Sequence, residues 1–287
     1  MSVSHLTILD NIPYGRAFSN LITFLRISEW IDKIQMNVGA AFIIILVLVY
    51  NDLKFSPDIF NLISIFIVYQ CFLGCYGYAI NAFADRKIDA IVGKYKGVSF
   101  FTKSQLFIIL IFLSIGSLAI PLLIDDLRIK VLGIAAFFFS AGYSMKPFRF
   151  KSRGFIGIVG ATLPQRPFMI LFFGLLANAV SEIMWILVGW ALFIGIIMEI
   201  GHQMLDYSND AASKAQTWIV QTEFSKVKTY SFVSIFFFLL FIFLPVFYFN
   251  PEIGSAISLI MLVLSGHSFF YFLDGWKKYK IAVTAVK

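Results

Sequence analysis

Eight long apolar stretches, at about 31–50, 60–82, 105–123, 129–145, 155–177, 183–204, 229–249 and 253–273, leave this chain one class of fold. As a helix, at about 1.5 Å per residue, each can cross the roughly 30 Å hydrocarbon core of a bilayer. Lipid offers no water to satisfy a backbone N–H or C=O, so segments of this length span as α-helices. The expected architecture is all-α and polytopic, with about eight transmembrane helices. Residues 1–287 form a single integral-membrane domain, with 1–25 as an N-terminal cytoplasmic segment. A hydrophobic fraction of 60% and 34 phenylalanines exclude an ordinary soluble domain, where apolar usage is near half. The only cysteines, Cys71 and Cys75, lie in an apolar stretch without His or Cys at metal spacing, so neither a disulfide nor a zinc site is expected. Residues 1–29 contain no apolar core of the kind a cleaved signal peptide needs.

Charge orients these helices. Arg16, Arg26 and Lys33 precede or open the first stretch, and Arg86, Lys87, Lys94, Lys96 and Lys103 follow the second. Lys146, Arg149, Lys151 and Arg153 follow the fourth, Lys214, Lys226 and Lys228 the sixth, and Lys277, Lys278, Lys280 and Lys287 the eighth. The opposite side carries only Lys54, Arg128 and Lys130. Because Lys and Arg accumulate on cytoplasmic connections, both termini and the long connections are expected in the cytoplasm. The net charge of +7 then reflects topology and an anion site, with no nucleic-acid partner to infer.

The second stretch ends at three polar residues spaced four apart, Asn81, Asp85 and Asp89. Such positions drift by only about 40° per step around a helix, so one amide oxygen and two carboxylates share a face. Hard oxygen ligands suit Mg²⁺, which takes one or two carboxylates and completes its shell with water and substrate phosphates. Asp206 and Asp210 repeat the spacing at the end of the sixth stretch, and the two clusters are expected to form two arms of one metal site. Gln70, Gly74 and Gly77 continue the first stripe into the membrane, as a packing face or a cavity wall. Glu199, His202 and Gln203 continue the second. A carboxylate as deep as Glu199 needs a partner, for which Arg166, beside Gln165, is the candidate. Arg26, Lys33 and Asn37 fall on one side of the first span, facing the same cavity or snorkelling.

The connection from Tyr143 to Gly154 carries four cations after its lysine–proline turn begins, and Lys146, Arg149 and Lys151 are the candidate diphosphate contacts. Gly154, Gly157 and Gly160 follow as a small face for close helix contact. Tyr143, His202 and Gln203 are candidates for positioning substrate.

Together these motifs resemble the UbiA superfamily of intramembrane prenyltransferases. Asn81, Asp85 and Asp89 match its NxxxDxxxD motif, Asp206 and Asp210 its second DxxxD, and Tyr143 to Lys151 is similar to the YS-x-x-P-x-R-x-K pattern of several branches. The likeness runs from Arg26 onward. It implies two four-helix repeats around a central cavity capped by Asp-rich loops, with two Mg²⁺ ions holding the diphosphate of a prenyl donor. Members usually have nine helices, one more than expected here. The continuation AIVGKYKG after Asp89 differs from the Asn/Pro/Arg-rich one of quinone-pathway members, and Pro147 stands where some branches have lysine.

The resemblance implies a transferase of isoprenoid biosynthesis, moving a prenyl chain from a polyprenyl diphosphate to a small aromatic or lipid-like acceptor within the membrane. Asp85 and Asp206 are the expected catalytic carboxylates. Two other readings stay open: a terpene cyclase on the same scaffold, in which the donor's own double bonds trap the cation, and a non-enzymatic transporter, which would also place aspartates inward.

Overall fold

In the computed structural model, residues 15–27, 43–54, 56–91, 97–212 and 215–285 are described, apart from the side chains of 15–17, 88–91 and 285. The elements are α1 (Gly15–Phe24), α2 (43–50), α3 (Pro57–Ile91), α4 (Lys103–Leu123), α5 (Leu127–Ser144) and α6 (Phe155–Gln165). They continue with α7 (Pro167–Leu176), α8 (Glu182–Ala212), the short α9 (Trp218–Gln221), α10 (Phe224–Tyr248) and α11 (Pro251–Ala285). No strand occurs among the described residues.

Helices long and apolar enough to cross a membrane coincide with seven of the eight expected stretches, α6 and α7 together making one of them. Of the stretch expected at 31–50, only α2 is described, and Lys33 and Asn37 lie outside the described residues. The chain is a multi-pass integral membrane protein.

The sequence supplies the helix ends. At α4, the Thr102 hydroxyl accepts from the Gln105 backbone N–H (3.3 Å), and Gln105 Oε1 accepts from the Thr102 N–H (2.9 Å), a reciprocal cap. At α5, Asp126 accepts from the Arg128 N–H at 2.8 Å.

Two expectations change. The fifth stretch is broken, because Pro167 lacks an N–H and forces the preceding residue out of helical geometry. Arg166 accordingly sits at φ −137 and ψ −66 between α6 and α7. The acidic motifs, in turn, lie on helices where the resemblance implied loops. At 35 and 31 residues, α3 and α8 run about 52 and 46 Å, well past the hydrocarbon thickness. Asp85, Asp206 and Asp210 therefore ride on helical ends beyond the apolar stretches.

α8 is the central element: 67% of its most apolar window is buried, against 28% for α4, α5 and α10. It packs on α6, α7, α10 and α11, while α3, α4 and α5 form a neighbouring group joined to it through α6 and α7. The tightest crossing is with α11. A Cβ on Gly201 would lie 2.8 Å from the Phe272 Cα, and one on Gly275 2.6 Å from the Gly201 carbonyl oxygen, so only glycine allows the two backbones to meet there. Many phenylalanines stay on the outside, Phe232 and Phe247 being 71% and 84% exposed, as lipid contact requires.

Candidate active site

The first acidic arm is built on α3. Asp85 is buried, and both of its carboxylate oxygens accept from Lys151 Nζ. Arg149 Nη2 lies 3.5 Å from Asp85 Oδ1. One turn earlier, Asn81 Oδ1 accepts from the Ser144 hydroxyl at 2.6 Å and lies 3.4 Å from Lys151 Nζ. Asn81 and Asp85 thus share a face, as their spacing predicts. The side chain of Asp89 lies outside the described residues.

Lys151 reaches this position through the packing of the connection after α5. Arg149 adopts a left-handed conformation (φ 39, ψ 58) that few residues other than glycine take up, and a tight 3₁₀ turn, Phe150–Ser152, follows. Phe150 is seated where two neighbouring helices carry glycine. A Cβ on Gly142 would lie 2.6 Å from its ring, and one on Gly157 would lie 2.4 Å from its carbonyl oxygen. The Gly157 and Gly160 face therefore receives this turn, where helix-to-helix contact was expected. Arg153 ties the connection together by donating to the carbonyls of Phe148 and, at 2.7 Å, Pro147. Of the expected diphosphate contacts, Arg149 and Lys151 line the site, whereas Lys146 is exposed and does not. The reason is geometric: Lys146 precedes the left-handed turn that directs the chain inward.

The second arm is built on α8. Glu199 Oε1 accepts from the Tyr143 hydroxyl and from Gln203 Nε2, both at 3.1 Å. Gln203 Oε1 lies 3.4 Å from the donating Ile219 N–H. Tyr143 and Gln203 are therefore the hydrogen-bond partners of Glu199, and the Arg166 guanidinium, which feels the Glu199 charge without bonding it, reaches Met198 Sδ at 2.9 Å. His202 Nε2 is 3.7 Å from Asp206 Oδ2, and its Nδ1 is 3.1 Å from the Tyr271 hydroxyl. Asp210 Oδ2 accepts from Thr217 Oγ1 at 3.0 Å.

Both arms line one polar mouth of about 120 Å³, which holds Asn81, Asp85, Asp206 and Asp210 together with Arg149, Lys151, Tyr143, Glu199, His202 and Gln203. These four oxygen-bearing residues, from two helices, line the same cavity. Among the described residues no three His, Cys, Asp or Glu side chains are gathered closely enough to enclose an ion by themselves. That donor set fits Mg²⁺ held by one or two carboxylates, with water and phosphate oxygens completing the shell, and does not fit an all-protein cage.

Beneath the mouth, a second cavity of about 180 Å³ shares Asn81 and Tyr143 with it and runs along α3 past Gly77, Gly74 and Gln70. A third, of about 130 Å³, shares Gln70, Gln165 and Met169 with the second. The stripe from Gln70 to Asp85 is thus a cavity wall: a Cβ on Gly74 would meet nothing within 4 Å, and one on Gly77 would meet only Ser140 Cβ, at 4.0 Å. From Asn81 to Gln70 this path descends about 16 Å along the helix.

Ser144 and Thr217 were not expected at the site. Ser144 follows Tyr143 directly and is the serine of the YS-x-x-P-x-R-x-K pattern, the one sequence signal that could have pointed to it. Thr217 reaches Asp210 across a chain reversal.

The structure is that of a helical membrane protein with a charged, oxygen-rich mouth above a largely apolar shaft. The UbiA prenyltransferase family matches residues 39–285, and the chain belongs to that family of prenyl-transferring enzymes. Among curated protein sequences none matches significantly. The fold is similar to that of a UbiA homolog from Archaeoglobus fulgidus bound to Cd²⁺, with a TM-score of 0.66, 14% identity, and 91% of this chain and 89% of that chain covered. It is also similar to a UbiA homolog from the same organism bound to GPP and Mg²⁺, with a TM-score of 0.54, 15% identity, and coverage of 91% and 99%. A third likeness is to digeranylgeranylglyceryl phosphate synthase, with a TM-score of 0.61, 15% identity, and coverage of 92% and 99%. Family membership removes the transporter reading.

Proposed function

We propose that this enzyme catalyses Mg²⁺-dependent transfer of a prenyl chain from a polyprenyl diphosphate to a small aromatic or lipid-like acceptor, within a single membrane domain whose mouth faces the cytoplasm. The observation that carries this reading is the convergence of Asn81 and Asp85 with Asp206 and Asp210 on one mouth that opens into an apolar shaft. The similar A. fulgidus structure with GPP and Mg²⁺ supports the donor class, and the excess of Lys and Arg at the mouth end supports the orientation.

Asn81, Asp85, Asp206 and Asp210 would hold Mg²⁺, which when bound would neutralise charge on the leaving diphosphate, and the Arg149 and Lys151 cations would contact the diphosphate oxygens directly. Arg149 is placed to add charge-assisted contacts, in a fork that lysine cannot reproduce. Tyr143 stands at the junction of mouth and shaft, fixed by its bond to Glu199, where an aromatic ring stabilises a passing cation. His202 and Gln203 orient groups on the α8 side, with Asp85 and Asp206 as the principal carboxylates. The apolar walls exclude water from the allylic cation until the acceptor captures it.

The test is diphosphate release from geranyl diphosphate and Mg²⁺ by the purified protein, with and without an acceptor fraction extracted from membranes. Release that depends on the fraction and yields a prenylated product supports transfer. Equal release without it, with a cyclic hydrocarbon product, moves the assignment to a cyclase, and no release in either case overturns both.

A further inference from the structure

Lys151 does more than pair with Asp85. Its ammonium donates to both Asp85 carboxylate oxygens, and Asn81 Oδ1 and Ser144 Oγ each lie 3.4 Å from Nζ. The Tyr143 ring centroid is 6.0 Å away, within reach of a cation–π contact. The ammonium thus stands where the oxygens of the first arm converge, and those of Asn81 and Asp85 are the ones the arm offers to a metal. Two cations have a claim on the same oxygens, and each excludes the other.

Charge and burial set the terms of that competition. Lys151 and Asp85 are both buried, so salt and water screen the pair weakly. Arg149 Nη2, 3.5 Å from Asp85 Oδ1, adds a second positive charge beside one carboxylate. A hydrated divalent ion that approaches Asp85 by itself is repelled by both cations and must also shed water, which Mg²⁺ does reluctantly. The second arm is built differently: Asp206 lies beside His202, and Asp210 accepts from the neutral Thr217 hydroxyl. A diphosphate changes the balance at the first arm, because its oxygens give the ammonium another partner and add negative charge beside the metal ligands. The exchange needs no change of backbone. Phe150 seats the turn against Gly142 and Gly157, while a lysine carries its point charge and three donors on a flexible stem.

We propose that Lys151 is the resident cation of the first arm. It holds Asn81, Ser144 and Asp85 in their convergent arrangement, keeps metal off Asp85, and yields the carboxylate only when a diphosphate draws it away. Metal binding at Asp85 is then conditional on the diphosphate, whereas metal binding at the second arm is not. That the displacing anion is a prenyl diphosphate rests on the prenyl-transfer reading. That Lys151 and metal compete for Asp85 rests on the geometry of the arm.

The experiment is Mn²⁺ binding to the full-length protein in phosphatidylcholine nanodiscs without donor, with the free ion read by electron paramagnetic resonance. An arm that is free of the ammonium less than about a tenth of the time binds metal about tenfold or more below its intrinsic affinity. Lys151→Met should therefore tighten Mn²⁺ binding at the first arm about tenfold or more, and the gain should vanish in the double variant with Asp85→Asn. With Lys151 in place, Asp206→Asn should weaken donor-free Mn²⁺ binding, and Asp85→Asn should leave it close to the wild-type value. Where Lys151→Met is not recovered folded, that second comparison decides. Geranyl diphosphate binding at saturating Mg²⁺ is measured in parallel, and Lys151→Met should weaken it about tenfold. Opposite shifts for metal and donor are the signature of exchange, since a merely structural role for Lys151 would weaken both. Equal Mn²⁺ binding in wild type and Lys151→Met, or equal losses in Asp85→Asn and Asp206→Asn, overturns the exchange. If geranyl diphosphate still binds the wild type in that case, the exchange falls alone. If the wild type does not bind geranyl diphosphate while Lys151→Met gains its Asp85-dependent Mn²⁺ site, the prenyl-transfer reading falls and the competition for Asp85 stands.

Discussion

Asp85 on α3 and Asp206 on α8 line one mouth, each four residues from a second oxygen-bearing side chain, yet their surroundings differ. The Asp85 side chain is 12% exposed and held by Lys151 and Arg149, whereas that of Asp206 is 31% exposed beside His202. Equal spacing in the sequence has therefore produced one carboxylate that is packed among two cations and one that is more exposed.

The largest expected effect tests what the arms share. Asp85→Ala and Asp206→Ala should each reduce Mg²⁺-dependent turnover on the order of a thousandfold, because each removes an anchor for the charge that develops at the mouth. Thermal melting then separates them. Asp85→Ala removes the buried carboxylate that Lys151 and Arg149 share and should lose on the order of 3 kcal/mol of stability, and Asp206→Ala, at a more exposed carboxylate, should lose less. If the two variants melt alike, the contrast between the arms is wrong.

The next effect sharpens the contrast within the basic connection. Arg149→Ala and Lys151→Ala should lower kcat/KM for the donor roughly tenfold to a hundredfold. Lys146→Ala and Lys228→Ala, which remove exposed cations, should do little. Uniform behaviour of all four would reduce the connection to a topology signal.

A smaller effect comes from the shaft. Gly74→Leu adds a side chain where a Cβ meets nothing within 4 Å, so the protein should fold normally while the lane narrows. Discrimination against long prenyl donors should rise about tenfold relative to short ones, as measured by competition between two chain lengths. Unchanged preference would mean that the donor tail does not use this path.

The smallest effect lies at the opposite end of the helices, where a half-buried carboxylate pairs with an exposed arginine. The Arg128 guanidinium beside Asp126 holds its carboxyl down to about 2. A folded-state value below the unfolded one contributes stability above the ordinary carboxylate range and loses it as pH falls through about 2. Melting should therefore show no Asp126-dependent change between pH 7 and 5, and Asp126→Ala should differ from wild type only slightly, as exposed pairs do. A large pH-dependent difference in that interval would mean that the Arg128 pair does not hold the Asp126 carboxyl down.

What could be read in the sequence and what could not divides along physical lines. Seven helical spans were legible because lipid leaves long apolar segments one backbone solution, and the four-residue spacing of Asn81 and Asp85 put them on one face because a helix turns about 100° per residue. The chain break at Arg166 was also written in Pro167, since proline restricts the residue before it.

Partner choice was not legible. Nothing in a linear spacing says that Lys151 enters the mouth while Lys146 stays outside, because that depends on Phe150 seating against Gly142 and Gly157 on two different helices. Nor does it say that Glu199 bonds Tyr143 and Gln203, leaving Arg166 to face a cavity. Local backbone rules and the solvent act on neighbours in sequence, so the chain alone determined its helices, its membrane class and the faces of its acidic motifs. Electrostatic pairing and cavity shape act between residues distant in sequence, so only the packed helices decided which side chains pair and which line a cavity.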